Sequence, residues 1–116
     1  MESLSTCGCS ADTKKLTPGE IETLLSEVEG WEVITESGIQ KLKRKFSTRI
    51  FKRSMLFTNK VADLAEEVDH HPQIIVEFSS VTILWWSHTI EGLHKNDFIL
   101  AGRSSELFEK SLNVRF

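Results

Sequence analysis

Asp69-His70-His71-Pro72-Gln73-Ile74-Ile75-Val76-Glu77-Phe78-Ser79-Ser80-Val81-Thr82-Ile83-Leu84-Trp85-Trp86 is the stretch that decides the fold. Pro72 disfavours helical geometry at the residue before it, so a helix arriving from upstream has to stop near His70. Beyond it, Ile74 to Phe78 and Val81 to Trp86 are short runs rich in β-branched and aromatic residues. With a Ser79-Ser80 turn between them they read as a hairpin of two strands. Successive side chains of a strand point to opposite faces, so the indoles of Trp85 and Trp86 must part. One enters the core, and the other covers a pocket or a subunit contact.

Upstream, Ser47 or Thr48 can cap a helix whose Ile50, Phe51, Ser54, Phe57, Val61, Leu64, Ala65 and Val68 follow the 3.6-residue period. Before that helix lies a second hairpin: Trp31 to Ile34, a Glu36-Ser37-Gly38 turn, and Ile39 to Phe46. In its second strand Leu42, Arg44 and Phe46 share one face, and Lys41, Lys43 and Lys45 share the other, which should be wet. Thr17-Pro18-Gly19-Glu20 opens a first helix, with Thr as N-cap, Pro in the first helical position and Glu three residues after the cap. Ile21, Leu24, Leu25 and Val28 continue it and Glu29-Gly30 closes it. Downstream, Gly92 breaks the chain, and a last helix runs from about Lys95 to Leu112 with Phe98, Ala101, Phe108 and Leu112 inward. The order α-β-β-α-β-β-α favours an α+β two-layer sandwich, a four-stranded antiparallel sheet with helices on one face.

The 116 residues suffice for one domain, assigned to 17–116, after a flexible leader over 1–16. With 40% apolar and 27% charged residues the composition is that of a soluble globular protein rather than a disordered chain. A net charge of −3 offers no general attraction for nucleic acid. Residues 41 to 53 hold seven of the 14 Lys and Arg, but the alternation of Lys41, Lys43 and Lys45 marks a solvated strand face. No run approaches the roughly 18 apolar residues needed to span a bilayer, and MESLSTCGCSADTKK has no apolar core like that of a signal peptide. A cytoplasmic protein is the expectation. Cys7 and Cys9 form a C-x-C pair with no second pair to complete a zinc site, and read as two exposed thiols.

Chemistry concentrates in the histidines: all 4 lie between residues 70 and 94. Histidine gives and takes protons near neutrality, and a carboxylate beside an imidazole orients it and favours its charged form. Glu66 and His70 are four apart, which stacks them on one helix face; Asp69 and His71 fall at the fraying end. His88 lies just past the last strand, where it can be aimed toward the helix terminus. His94 occupies the N-cap of the last helix and is structural, and Asp97 sits in that helix's first turn, where a carboxylate suits the dipole. A metal is disfavoured, because adjacent side chains diverge and no H-x-x-x-H or C-x-x-C partner is present.

The whole pattern is Glu66-x-x-x-His70-His71-Pro72, then Phe78 after five residues, His88 after nine more and Asp97 after eight more. It resembles the signature of the pterin-4a-carbinolamine dehydratase family, over roughly Thr17 to Leu112. The resemblance implies dehydration of 4a-hydroxytetrahydrobiopterin to quinonoid dihydrobiopterin, which recycles the cofactor of aromatic amino-acid hydroxylases, with no metal and no cofactor beyond the pterin substrate. By position His70, His71 and His88 would be catalytic: His70 and His88 donate protons to the hydroxyl, and His71 holds the pterin or accepts the N5 proton. Pro72, Ser87, Thr89 and Ile90 would line the pocket, and Glu66, Asp69 and Asp97 would orient the imidazoles. Ile74 replaces an aromatic residue common in the family, which alters one pocket wall, and His94 replaces the usual Ser or Thr cap. The family also implies a homodimer or homotetramer. Its animal members act as dimerisation cofactors for a homeodomain transcription factor, and other members could serve folate or molybdopterin metabolism.

Overall fold

The structure is a computed structural model that describes residues 15–116. Cys7, Cys9 and the expected leader up to residue 14 lie outside the described residues. Seven elements follow in the expected order: α1 (Pro18–Leu25), β1 (Glu32–Glu36), β2 (Ile39–Ser47), α2 (Phe51–Val68), β3 (Gln73–Glu77), β4 (Ser80–Trp85) and α3 (Lys95–Ser111). The strands form one antiparallel sheet in the order β1-β2-β4-β3. The α2-β3 segment therefore carries the chain across to the far edge, and β4 returns between β3 and β2.

Local chemistry sets the boundaries. The Thr17 hydroxyl accepts from the Glu20 N–H at 3.2 Å while Glu20 Oε1 accepts from the Thr17 N–H at 2.9 Å, a complete capping box. The first hairpin turns on Ser37 and Gly38, both at positive φ (52° and 78°), which matches the twist of a two-residue hairpin. The second turns on Phe78-Ser79, since Ser80 already pairs with Glu77. The turn thus lies one residue earlier in the chain than the expected Ser79-Ser80, and Phe78 projects from the loop, 72% exposed.

One side of the sheet makes the core. Leu42 and Phe46 of β2 and Val81, Ile83 and Trp85 of β4 meet Phe57, Val61, Leu64 and Ala65 of α2 and Phe98, Leu100, Ala101 and Phe108 of α3. Phe46 stands at its centre, 4.8 Å from the Phe57 ring, 4.9 Å from Phe108 and 5.8 Å from Trp31. Arg44 shares this strand face: its guanidinium lies 4.4 Å over the Phe46 ring and donates to Ser105 Oγ and the Glu29 carbonyl. Burial pushes that guanidinium below its ordinary pKa, opposed by the nearby Glu109 and Glu29 carboxylates.

Several expectations fail locally. Neither Ser47 nor Thr48 caps α2; Ile50 holds the N-cap position without a side-chain bond, because the buried Thr48 hydroxyl pairs with the Ser54 hydroxyl instead. Ile50 and Phe51 are exposed although their spacing places them on the apolar stripe, so the first turn of α2 overhangs the core. Leu112 is likewise exposed, beyond the end of α3, and α1 ends at Leu25 rather than Glu29. The lysine face is only partly wet: Lys45 is exposed, but the Lys41 side chain is 12% exposed, and Leu84 and Thr82 across from Lys43 and Lys45 are buried. Long lysine stems cover apolar surface while their charges reach water.

Candidate active site

The end of α2 decides where the two adjacent histidines go. Asp69, the C-cap, is left-handed (φ 50°, ψ 46°), and the His70 N–H reaches back to the Ala65 carbonyl at 3.2 Å. Such a cap reverses the chain sharply, and Pro72 then keeps His71 extended. The imidazoles separate in consequence: His70 is 6% exposed, while the His71 side chain is 54% exposed.

His70 enters a buried polar network. Its Nε2 lies 2.9 Å from Asp97 Oδ1 and 3.1 Å from the Trp86 carbonyl oxygen. Both partners only accept, so this nitrogen carries the proton. Asp97 is fully buried, and its Oδ2 accepts from the His94 N–H at 2.8 Å and from the Ser87 hydroxyl at 2.9 Å. One carboxylate therefore ties the end of α2, the end of β4 and the start of α3. His94 is the N-cap expected of it, its Nδ1 accepting from the Asn96 N–H at 3.2 Å.

His71 and His88 form the exposed half. His71 Nε2 donates to Glu66 Oε2 at 2.5 Å. The expected pairing of Glu66 with His70 is not made, because the left-handed Asp69 turns His70 inward and presents the next residue to that face. His88 Nε2 donates to the His71 carbonyl at 3.2 Å, which brings the loop after β4 to the end of α2 as the spacing suggested. Each ring has its Nε2 proton committed, and neither Nδ1 has a partner among the described residues.

The 87–92 loop is closed by reciprocal bonds, Ser87 N–H to the Gly92 carbonyl at 2.9 Å and Gly92 N–H to the Ser87 carbonyl at 3.3 Å. Thr89 is exposed beside His88, Ile90 is buried beneath the loop, and Pro72 is half-buried. Asp69 is exposed, its backbone turn rather than its carboxylate shaping the site. Ile74 is half-buried and packs against the core. The two indoles part as strand alternation requires: Trp86 stands 4.5 Å from His88 on the face away from the core, and on the core side Trp85 stands 5.7 Å from His70, a neighbour that sequence reasoning missed. The i, i+2 spacing of Trp86 and His88 was the available signal for the first contact. No group of three His, Cys, Asp or Glu side chains among the described residues is arranged to hold a metal ion.

Fold and site together define an α+β two-layer domain with a histidine–carboxylate centre where α2, β4 and α3 meet. Residues 14–107 match the family model described as pterin 4 alpha carbinolamine dehydratase. A protein of Marinobacter nauticus that carries pterin-4-alpha-carbinolamine dehydratase as a provisional name is 49% identical over 104 residues, covering 90% of this chain and 94% of that protein. The chain belongs to the pterin 4 alpha carbinolamine dehydratase family. Its fold is that of a crystal structure from Brucella melitensis titled transcriptional coactivator/pterin dehydratase, with a TM-score of 0.74 over 81% of this chain and 98% of that one, at 24% identity. No helix among the described residues is long and apolar enough to cross a membrane.

Proposed function

We propose that the protein is a hydro-lyase that dehydrates 4a-hydroxytetrahydrobiopterin to quinonoid dihydrobiopterin. The observation that carries this reading is the pair of exposed imidazoles joined by the His88 Nε2 to His71 carbonyl bond, each with its Nδ1 open to a ligand. The reaction breaks the bond from C4a to the hydroxyl, which leaves as water after receiving a proton. N5 loses its own proton, and its electron pair forms the C4a–N5 double bond. No electron is exchanged, so one acid and one base suffice, each worth typically 10² to 10⁴ in rate.

Nδ1 of His88, when protonated, serves as the donor to the hydroxyl, and neutral His71 accepts the N5 proton. Glu66 holds the His71 ring in the tautomer that leaves Nδ1 as the acceptor. His70 acts differently from the two exposed rings. Its Nε2 proton is committed to Asp97 inside the fold, so it anchors the site, and Ser87 shares the same carboxylate. Pro72 and Thr89 form the surrounding surface, and Ile90 supports the loop from beneath. The pterin is the substrate and no further cofactor is invoked. On this reading the protein works in the cytoplasm as a homo-oligomer and returns tetrahydrobiopterin to aromatic amino-acid hydroxylases.

The test follows the ultraviolet signal of freshly generated 4a-hydroxytetrahydropterin with and without the protein. Decay faster than the spontaneous reaction is expected, and an unchanged decay overturns the reading.

A further inference from the structure

The helix-free face of the sheet carries a line of side chains that proton transfer leaves unused. Lys41 Nζ donates to Glu36 Oε1 at 2.9 Å, and the same ammonium lies 4.0 Å from the centroid of the Trp86 indole. That indole stands 4.5 Å from the His88 ring, their planes inclined by 37°. Strand geometry builds the line. Leu42 pairs with Trp85, which places Lys41 across from Trp86, and strand alternation keeps Trp86 on the face away from the core.

We propose that Trp86 is a positioning residue for His88, with Lys41 and Glu36 fixing the indole. This rests on His88 as a proton donor. His88 is exposed and sits on the 87–92 loop, and the one hydrogen bond its ring makes among the described residues, to the His71 carbonyl, leaves the ring free to rotate about that bond. A tilted ring with its centroid 4.5 Å away restricts this freedom. The indole is itself held, since a cation over a Trp face is attracted to it and the Lys41 ammonium is fixed in turn by Glu36. The first hairpin, far from the histidines in sequence, thereby sets the angle at which one of them meets the substrate.

The test measures kcat and KM for Trp86→Leu, Trp86→Phe and Lys41→Met, with pH-dependent tryptophan emission as a second readout. Misorientation in a proton transfer costs on the order of 10- to 100-fold. Trp86→Leu should therefore lower kcat by about that factor with KM held, Trp86→Phe should restore most of the loss, and Lys41→Met should fall between them. A protonated imidazole quenches a neighbouring indole more strongly than a neutral one, so His88→Gln and Trp86→Phe should remove the same pH-dependent component of the emission. Any component from Trp85 beside His70 remains in both. Equal kcat in wild type and Trp86→Leu, no rescue by phenylalanine, or an emission titration unchanged by His88→Gln each overturn the proposal. The emission needs no turnover and no leucine variant. If the wild type fails to dehydrate the pterin, the hydro-lyase reading falls, while the contact between Trp86 and His88 is still decided by the emission.

Discussion

Asp97 accepts from three donors, the ring N–H of His70, the hydroxyl of Ser87 and the backbone N–H of His94, and all three residues are buried. Removing a buried carboxylate of this kind leaves its donors without water to turn to. Asp97→Ala should therefore cost about 3–5 kcal/mol of stability, and Asp97→Asn less because one amide oxygen still accepts. Urea denaturation of the two variants checks this order; equal stability in Asp97→Ala and wild type would remove Asp97 as the hub. At this scale the sequence showed which residues gather better than how they pair. The pattern from Glu66 through the adjacent histidines to Asp97 was visible. The choice of partner was not, because it depends on one backbone angle: left-handed Asp69 sends His70 to Asp97 and leaves Glu66 to His71. Asparagine, aspartate and glycine tolerate that conformation, but composition does not announce where it is used.

Among the elements, the passage from α1 to β1 has the tightest tolerance. Gly30 has φ +86°, and a Cβ there would sit 2.9 Å from the Arg44 Cζ and Nε atoms. Gly30→Ala adds left-handed strain to displacement of the guanidinium that bonds Ser105 and the Glu29 carbonyl. A loss of about 1–2 kcal/mol is expected, with thermal unfolding lowered by roughly 4–15 °C; an unchanged midpoint would mean that Arg44 moves aside freely. Capping was legible where it was local, as in the Thr17–Glu20 box. It was misread at α2, where the Thr48 hydroxyl is drawn into a buried pair with Ser54 by contacts that sequence neighbours do not reveal. The second hairpin was placed correctly and its turn was shifted by one residue, since two serines in a row look more turn-like than Phe78-Ser79.

For the molecule as a whole, the two-period alternation of the strands and the 3.6-residue period of the helices sufficed to give one sheet with helices on one face. The strand order β1-β2-β4-β3 was not in those periods; it comes from the passage of α2 and β3 across the sheet. That layer is held by the aromatic group of Phe46, Phe57 and Phe108. Phe57 is fully buried, so Phe57→Ala should destabilise the domain by about 3–5 kcal/mol, lowering the denaturant midpoint while leaving the histidine geometry of the folded fraction intact. A smaller loss, under about 1 kcal/mol, would show that the core refills the space.

The central claim is that His71 and His88 together transfer the protons of a pterin dehydration. The most direct measurement compares decay of the 4a-hydroxytetrahydropterin signal in wild type, His71→Ala, His88→Ala and the double variant, each shown to be folded by circular dichroism. The account predicts acceleration by the wild type, losses of about 10² or more for each single variant, and spontaneous decay for the double variant. Undiminished acceleration by the folded double variant would contradict it.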